Sequence, residues 1–358
     1  MHIIYIVLVF CIVLFFYLHI YFQLKTSNDL EIYEIDNPSK DKLEEICDLR
    51  QPVLFQFHNE RILDTCSRQS ILDTYGAFDV KIRNIKQSPA TNEDNLYVPF
   101  AFSSALKVII EDTNNKYLIE NNSDFIEETG IIKSFKYNDV FLRPYMVSQC
   151  SYDFIMANNR TQTPFRYELN YRNYFLVTEG EIRIKLSQPK STKYLYQQKD
   201  YDNFEFSSPI DPWNIQGQYK ADFDKIKCLD ITMKKGQILY IPAYWWYSIE
   251  FGEAASICTF KYKTYMNTFA ILPQLTMKLL QNQNVKRNNV ETVKLAKLTP
   301  QTSTTSAIVN ANLNANLNAN LNVNNEDITE DQQQQLEKEL PIAIESTDFS
   351  IPFTQLNN

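Results

Sequence analysis

Arg166 and Glu168 are the residues whose types and spacing most invite a chemical reading. They stand two apart in the run Thr163-Pro164-Phe165-Arg166-Tyr167-Glu168. On a strand such residues project from the same face, so the cation and the carboxylate could pair, or together grip a small polar ligand. Arg166 cannot ligate a metal, because a guanidinium has no free lone pair and keeps its proton. The chain holds three histidines, and His2 and His19 fall in or beside an apolar N-terminal stretch. Only His58 is left beyond it, which excludes a two-histidine metal site there. His58-Asn59-Glu60 reads as exposed polar loop. No phosphate loop, Gly-x-Ser-x-Gly elbow, His-Glu-x-x-His helix or zinc spacing occurs.

Composition narrows the choices further. The six cysteines, at 11, 47, 66, 150, 228 and 258, form no Cys-x-x-Cys pair. They read as free thiols acting as small buried hydrophobes, in a reducing compartment. The formal net charge of −8 gives no basic footprint for nucleic acid and is expected to serve solubility.

The elements that must position Arg166 and Glu168 follow from periodicity. Ile3 to Phe22 is almost wholly apolar, and Lys25 is the first charged side chain after it. About 20 such residues span a bilayer as a helix. The absence of a basic leader and of a small-residue cleavage site favours an uncleaved anchor over residues 1–24 rather than a signal peptide. Lys25, Lys40 and Lys42 follow the helix, which by the positive-inside rule puts the body in the cytoplasm. Residues 25–36 read as a juxtamembrane linker and 37–285 as the folded body.

Within the body, Ser39 caps a helix that carries Leu43, Ile46 and Cys47 on one face, and a second helix covers Ser67 to Tyr75 and stops at Gly76. From about residue 140, strand follows strand. Ile182, Ile184 and Leu186 alternate with Arg183 and Lys185, as in a half-buried strand whose charges face outward. Many short strands with turn signals predict a sandwich or barrel. A last helix, Tyr265 to Gln281, has a broad apolar face and should kink or divide at Pro273. That face would pack on the body or form the seam of a homodimer or protein partner. The Asn- and Gln-rich stretch 286–358 reads as a disordered tail.

Gly236-Gln237-Ile238-Leu239-Tyr240-Ile241-Pro242-Ala243-Tyr244-Trp245-Trp246-Tyr247 resembles the second metal-ligand motif of cupin-like JmjC oxygenases, the group that includes asparaginyl hydroxylases. There, a Gly-Asp turn leads into a strand, an Ile-Pro and an aromatic pair followed by histidine. Thr163-Pro164-Phe165-Arg166-Tyr167-Glu168, Asn173-Tyr174-Phe175, Gly180 and Pro189 resemble the family's first motif, Thr-Pro-Leu-His-x-Asp followed by Asn-Phe, Gly and Pro. The resemblance spans about 31–280 and is strongest over 160–262. It implies a mainly β fold with flanking helices, a double-stranded β-helix of the cupin or jelly-roll kind.

By that resemblance, Arg166, Glu168 and Tyr247 stand where the family holds iron with histidine, carboxylate and histidine. A register one residue later would put Tyr167 and Leu169 at the first two positions. Ile182 stands where the family has a basic residue for the distal carboxylate of 2-oxoglutarate, and Thr259 replaces a polar residue deep in the pocket. Tyr167, Asn173, Ile182, Trp245, Trp246 and Thr259 are the candidate pocket residues. The expectation is a membrane-anchored, non-catalytic binding or scaffold module with no cofactor, its old pocket plugged by Arg166 and Glu168. The alternative is a divergent oxygenase using Fe(II) and 2-oxoglutarate through Glu168, Tyr247 and water. A third possibility places function in the tail.

Overall fold

Strands whose successive residues enter two different cores dominate this chain, and that requires two sheets with helices outside them. The computed structural model describes residues 2–85, 97–137 and 139–288, with side chains described as far as 283. The first part of the chain runs α1 (His2–Leu24), β1 (Tyr33–Ile35), α2 (Lys40–Cys47), β2 (Val53–Gln56), α3 (Glu60–Thr65), α4 (Arg68–Tyr75), β3 (Asp79–Asn84), β4 (Tyr97–Ala101), α5 (Phe102–Ile110), β5 (Tyr117–Ile119), α6 (Ser123–Glu128), α7 (Ile132–Lys136) and α8 (Asp139–Leu142). Then come β6 (Val147–Ala157), β7 (Phe165–Tyr167), β8 (Arg172–Glu179), β9 (Glu181–Ser187), β10 (Gln198–Asp200), β11 (Glu205–Ser208), α9 (Lys220–Phe223), β12 (Cys228–Lys234), β13 (Gln237–Pro242), β14 (Trp246–Phe251), β15 (Ser256–Thr264), α10 (Tyr265–Ala270) and α11 (Leu272–Asn288).

Nine strands form one sheet in the order β1-β2-β13-β8-β15-β6-β5-β3-β4, and six form the other, β10-β11-β7-β14-β9-β12. Pairing is antiparallel except between β1 and β2. Thus the stretch expected to be a linker ends in an edge strand on β2. In β8, Tyr174 and Leu176 join a core shared with the helices, while Phe175 and Val177 join a second core between the sheets. β13 divides the same way, with Ile238 and Tyr240 outward and Leu239 and Ile241 inward. The helix-side core takes Leu43, Ile62, Phe102, Phe125 and Phe135 from α2, α3, α5, α6 and α7. A third core covers the far face of the smaller sheet, where the long polar insertion between β9 and β12 supplies Leu195, Ile210 and Phe223 and α11 supplies Leu275.

The expected helix starts are in place. Ser39 accepts from Lys42 N at the head of α2, and Ser67 accepts from Ser70 N at the head of α4. Gly76 ends α4 with a right-handed backbone, so its smallness matters in another way: a Cβ there would lie 2.6 Å from Leu72 O. Pro273 divides the last helix into α10 and α11, since it serves in the first turn of α11, where no N–H is needed. His58 is exposed as expected, but its neighbour Asn59 is buried and caps α3, a helix that composition alone did not signal. Cys47, Cys66 and Cys258 are buried free thiols, Cys150 and Cys228 are half-buried, and Cys11 corrects the expectation of burial by lying exposed on α1.

Among the described residues, α1 is the one helix long and apolar enough to cross a membrane. Residues 289–358, most of the expected tail, lie outside the described residues.

Gly180 turns β8 into β9 with φ +67, and a Cβ there would lie 2.6 Å from Glu253 O and 2.9 Å from Ala255 Cα. Gly180→Ala is expected to destabilise the body by about 2 kcal/mol or more, from backbone strain plus the clash. Urea unfolding followed by tryptophan fluorescence would measure it, and an unchanged midpoint would refute the account.

Candidate functional site

The site is built from the inward-facing residues of β7, β14 and β15 and from two carboxylates that reach in from loop and insertion. β7 lies between β11 and β14, and its three residues alternate. Phe165 and Tyr167 enter the outer core, so Arg166 must point between the sheets. Tyr247 is its cross-strand partner on β14, with the ring 5.9 Å from the guanidinium carbon.

Arg166 does not pair with Glu168, which corrects the sequence expectation. Its Nη2 donates to Glu120 Oε2 at 2.6 Å and its Nη1 to Glu120 Oε1 at 3.3 Å. Glu120 directly follows β5. Arg83 on β3 donates from Nη1 to the same Glu120 Oε1 at 2.9 Å. It also holds Glu205 of β11 in a two-pronged grip at 2.6 and 3.0 Å. Glu205 Oε2 lies 3.8 Å from Arg166 Nη1 and closes a ring of two cations and two anions. None of the four side chains is more than 12% exposed. Tyr97 OH donates a further bond to Glu120 Oε1 at 3.3 Å.

Burial acts to raise the Glu120 carboxyl, but the Arg166 and Arg83 guanidiniums outweigh it and hold the group far below the usual carboxylate range. Burial likewise works against the Arg166 cation, and the Glu120 and Glu205 carboxylates more than offset it. The ring is electrically balanced only with all four members charged.

Glu168 makes separate bonds. Its Oε1 accepts from Lys261 Nζ at 2.7 Å and Tyr247 OH at 3.1 Å, and its Oε2 accepts from Asn170 Nδ2 at 3.4 Å. Burial raises this carboxyl, yet Lys261 and then Arg166 bring it below its ordinary value. Burial, reinforced by the Glu168 charge, drives the Tyr247 phenol well above its ordinary value, so it stays a protonated donor. Phe175 packs on the Tyr247 ring at 5.0 Å between centroids. Glu168 is therefore a carboxylate held in place by Lys261, Tyr247 and Asn170.

The other expected pocket residues divide between the two faces. Thr259 is on β15, two residues from Lys261, and its buried Oγ1 has no hydrogen-bond partner. Ile182 is in the core between the sheets, while Arg183 faces out and pairs with Asp230 and Glu250, as alternation required. Asn173 is fully buried and donates to Ile241 O at 3.2 Å, a bond that joins β8 to β13. Trp245 sits in the inner core with Nε1 on Arg50 O. Tyr167 and Trp246 are corrections. Both pack in the outer core, 4.9 Å apart, because each is one residue out of phase with Arg166 or Tyr247.

Glu120, Glu205, Arg83 and Lys261 were not anticipated. A lone carboxylate after a short strand, or in a polar insertion, carries no local signal of its partner. Lys261 did carry one, since it alternates with the buried Phe260 and Tyr262 and so faces the same way as Thr259. Two openings flank the polar centre. A cavity of about 180 Å³ is lined by Glu168, Lys261, Lys263, Gln149, Ser151 and Phe204 among others. A cleft of about 790 Å³ touches Arg83 and Glu205 from the other side. Among the described residues, no group of three or more His, Cys, Asp or Glu is placed to hold a metal ion.

A family model described as a cupin-like domain matches residues 42–269, more than half of the chain. No curated protein matches it.

Removing one ring anion leaves two buried guanidiniums sharing one carboxylate. Glu120→Gln is expected to cost about 3–5 kcal/mol of stability at pH 7. Because the Glu120 carboxyl titrates lower when folded than when unfolded, its contribution is complete above the unfolded value of about 4.3 and fades as pH falls below it. The gap between wild type and Glu120→Gln should therefore narrow from pH 5 towards pH 3, as read by urea unfolding at each pH. A gap independent of pH would show that the ring charges do not act in this way.

Proposed function

The chain belongs to the cupin-like domain family, and on that premise we propose that it is a non-catalytic binding or scaffold module of JmjC type, held at a membrane by its first helix. The single observation that carries the proposal is the charged ring at Arg166. Arg166, Glu168 and Tyr247 occupy the positions that the motif resemblance assigns to the iron ligands. Iron does not fit the donors that are there. Arg166 offers only N–H donors, and Glu120 already takes two of them. The Tyr247 hydroxyl is a donor to Glu168, and the Glu168 oxygen nearest to it is shared with an ammonium. A divalent cation would meet the positive charges of Arg166 and Lys261 at close range.

A double-stranded β-helix is the fold of this proposal, supported by two largely antiparallel sheets that share an inner core. The N-terminal anchor is supported by the length and apolar character of α1. A cytoplasmic body is supported by the lysines that follow the helix. In the proposed division, residues 1–24 are the anchor, 25–36 the juxtamembrane segment, 37–285 the cupin-like body and 286–358 a tail. Binding would then take place at the openings and surfaces around the closed centre rather than inside it.

Elemental analysis of the full-length chain in detergent, after anaerobic exposure to Fe²⁺ with 2-oxoglutarate present, would test the reading. Iron is expected at the level of a non-binding control protein. Stoichiometric iron that disappears in Glu168→Ala would overturn it and make the chain an oxygenase with a new ligand set.

A further inference from the structure

The first helix is long enough to cross a bilayer only if part of the body goes in with it. α1 is exposed on every side from His2 to Phe15, and then it meets the body. The Phe16 ring contacts Phe269 of α10 at 5.6 Å between centroids. Further along, the Arg50 guanidinium lies over Phe22 at 5.3 Å, and Gln23 is buried. At about 1.5 Å per residue, His2 to Phe15 rises about 21 Å, whereas the hydrocarbon core is about 30 Å thick. The whole of α1, at about 34 Å, reaches across. The missing length is the part of α1 docked on α10, so the surface beside that part must lie below the bilayer surface.

That surface has the chemistry such immersion needs. Phe269, Leu272, Met277, Leu279 and Leu280 are all 46–64% exposed. Leu275 and Lys278, on the opposite side of α11, turn to the body, Leu275 into the outer core and Lys278 over the Phe204 ring at 5.1 Å. Between Leu272 and Leu280 the outward residues bear no charge. The polar one, Thr276, donates its hydroxyl to Leu272 O at 2.6 Å and so presents no unsatisfied donor to lipid. Lys25, exposed at the end of α1, is placed to reach the headgroups. A soluble face of this kind would be an aggregation liability, but beside a membrane helix it is continuous with the apolar surface of that helix.

The geometry points to the outer face of α10 and α11 as a membrane-embedded shelf, with the acyl chains of one leaflet as its ligand. The body is held at a fixed depth and tilt by α1, α10 and α11 together rather than swinging on a tether. This inference rests on the reading of α1 as an anchor.

The full-length chain, carrying Cys11→Ala, is reconstituted in phosphatidylcholine vesicles and spin-labelled at Leu272→Cys, at Leu279→Cys or, as a control, at Glu111→Cys. All three positions are exposed, so the substitutions are expected to leave the fold intact. Signal from the unsubstituted parent is subtracted. Collision with oxygen relative to a water-soluble nickel chelate is expected to be several-fold higher at 272 and 279 than at 111. Equal ratios at the three sites, in protein that resists alkaline carbonate extraction, would overturn the shelf and leave the anchor standing. Extraction by carbonate would overturn both. Spin–spin broadening at 279 would show a second copy of the chain on this face, and that also overturns the lipid assignment.

Discussion

Four charges, each on a side chain no more than 12% exposed, constrain the rest of this structure. Arg83, Glu120, Arg166 and Glu205 come from β3, the end of β5, β7 and β11. Two of these elements belong to the larger sheet and two to the smaller. The ring therefore ties the sheets together where apolar packing gives way to polar side chains. Its members depend on one another, because each buried ion is tolerable only beside its counter-ions. β5 and β10, each three residues long, look marginal as isolated strands. They gain purpose as flanking supports for Glu120 and Glu205, which must arrive with their carboxylates aimed inward.

Strand alternation decides what the aromatic run at the start of β14 can do. Trp245, Trp246 and Tyr247 are consecutive, and all are buried, yet they serve three ends. Trp245 fills the inner core, Trp246 the outer one, and Tyr247 joins the polar centre. A shift of one residue would bring Trp246 against Arg166 and push the Tyr247 hydroxyl into the apolar outer core. The bond from Trp246 Nε1 to Thr192 Oγ1 at 2.8 Å belongs to the same registration, since it satisfies the indole on the insertion side.

Much of the fold was legible because its signals are local. Ser39 and Ser67 announce helix starts, Gly180 and Gly236 turn adjacent strands, and the alternation through Ile182, Ile184 and Leu186 separates an inner from an outer face. The motif likeness brought Arg166, Glu168 and Tyr247 to one place, and the structure has them as neighbours. What could not be read was the pairing. Arg166 and Glu168 share an inward direction, which made a direct ion pair the simple inference. Direction does not settle partners, however, when other carboxylates and ammoniums enter from 46 and 93 residues away in the chain. Tyr167 and Trp246 were misplaced for the opposite reason. They are aromatic, buried and next to the site in sequence, but a neighbour along a strand lies on the other side of the sheet.

The ring is an expensive way to fill a space, and that bears on its role. A buried ion pair is often no more stabilising than well-packed apolar residues of the same size. Stability alone would thus favour replacing the four ions with leucine-like side chains. The surroundings explain why that substitution would not be neutral here. Glu168 and Lys261 lie beside the ring, and Arg166 is among the charges that keep Glu168 ionised. With an apolar ring, Glu168 would lose the Arg166 charge and keep only its bonds to Lys261, Tyr247 and Asn170. Tyr97 would also keep a hydroxyl with no carboxylate to receive it. The charged ring, Glu168 and Lys261 thus form one electrostatic unit, neutral in sum and inhospitable to an added cation.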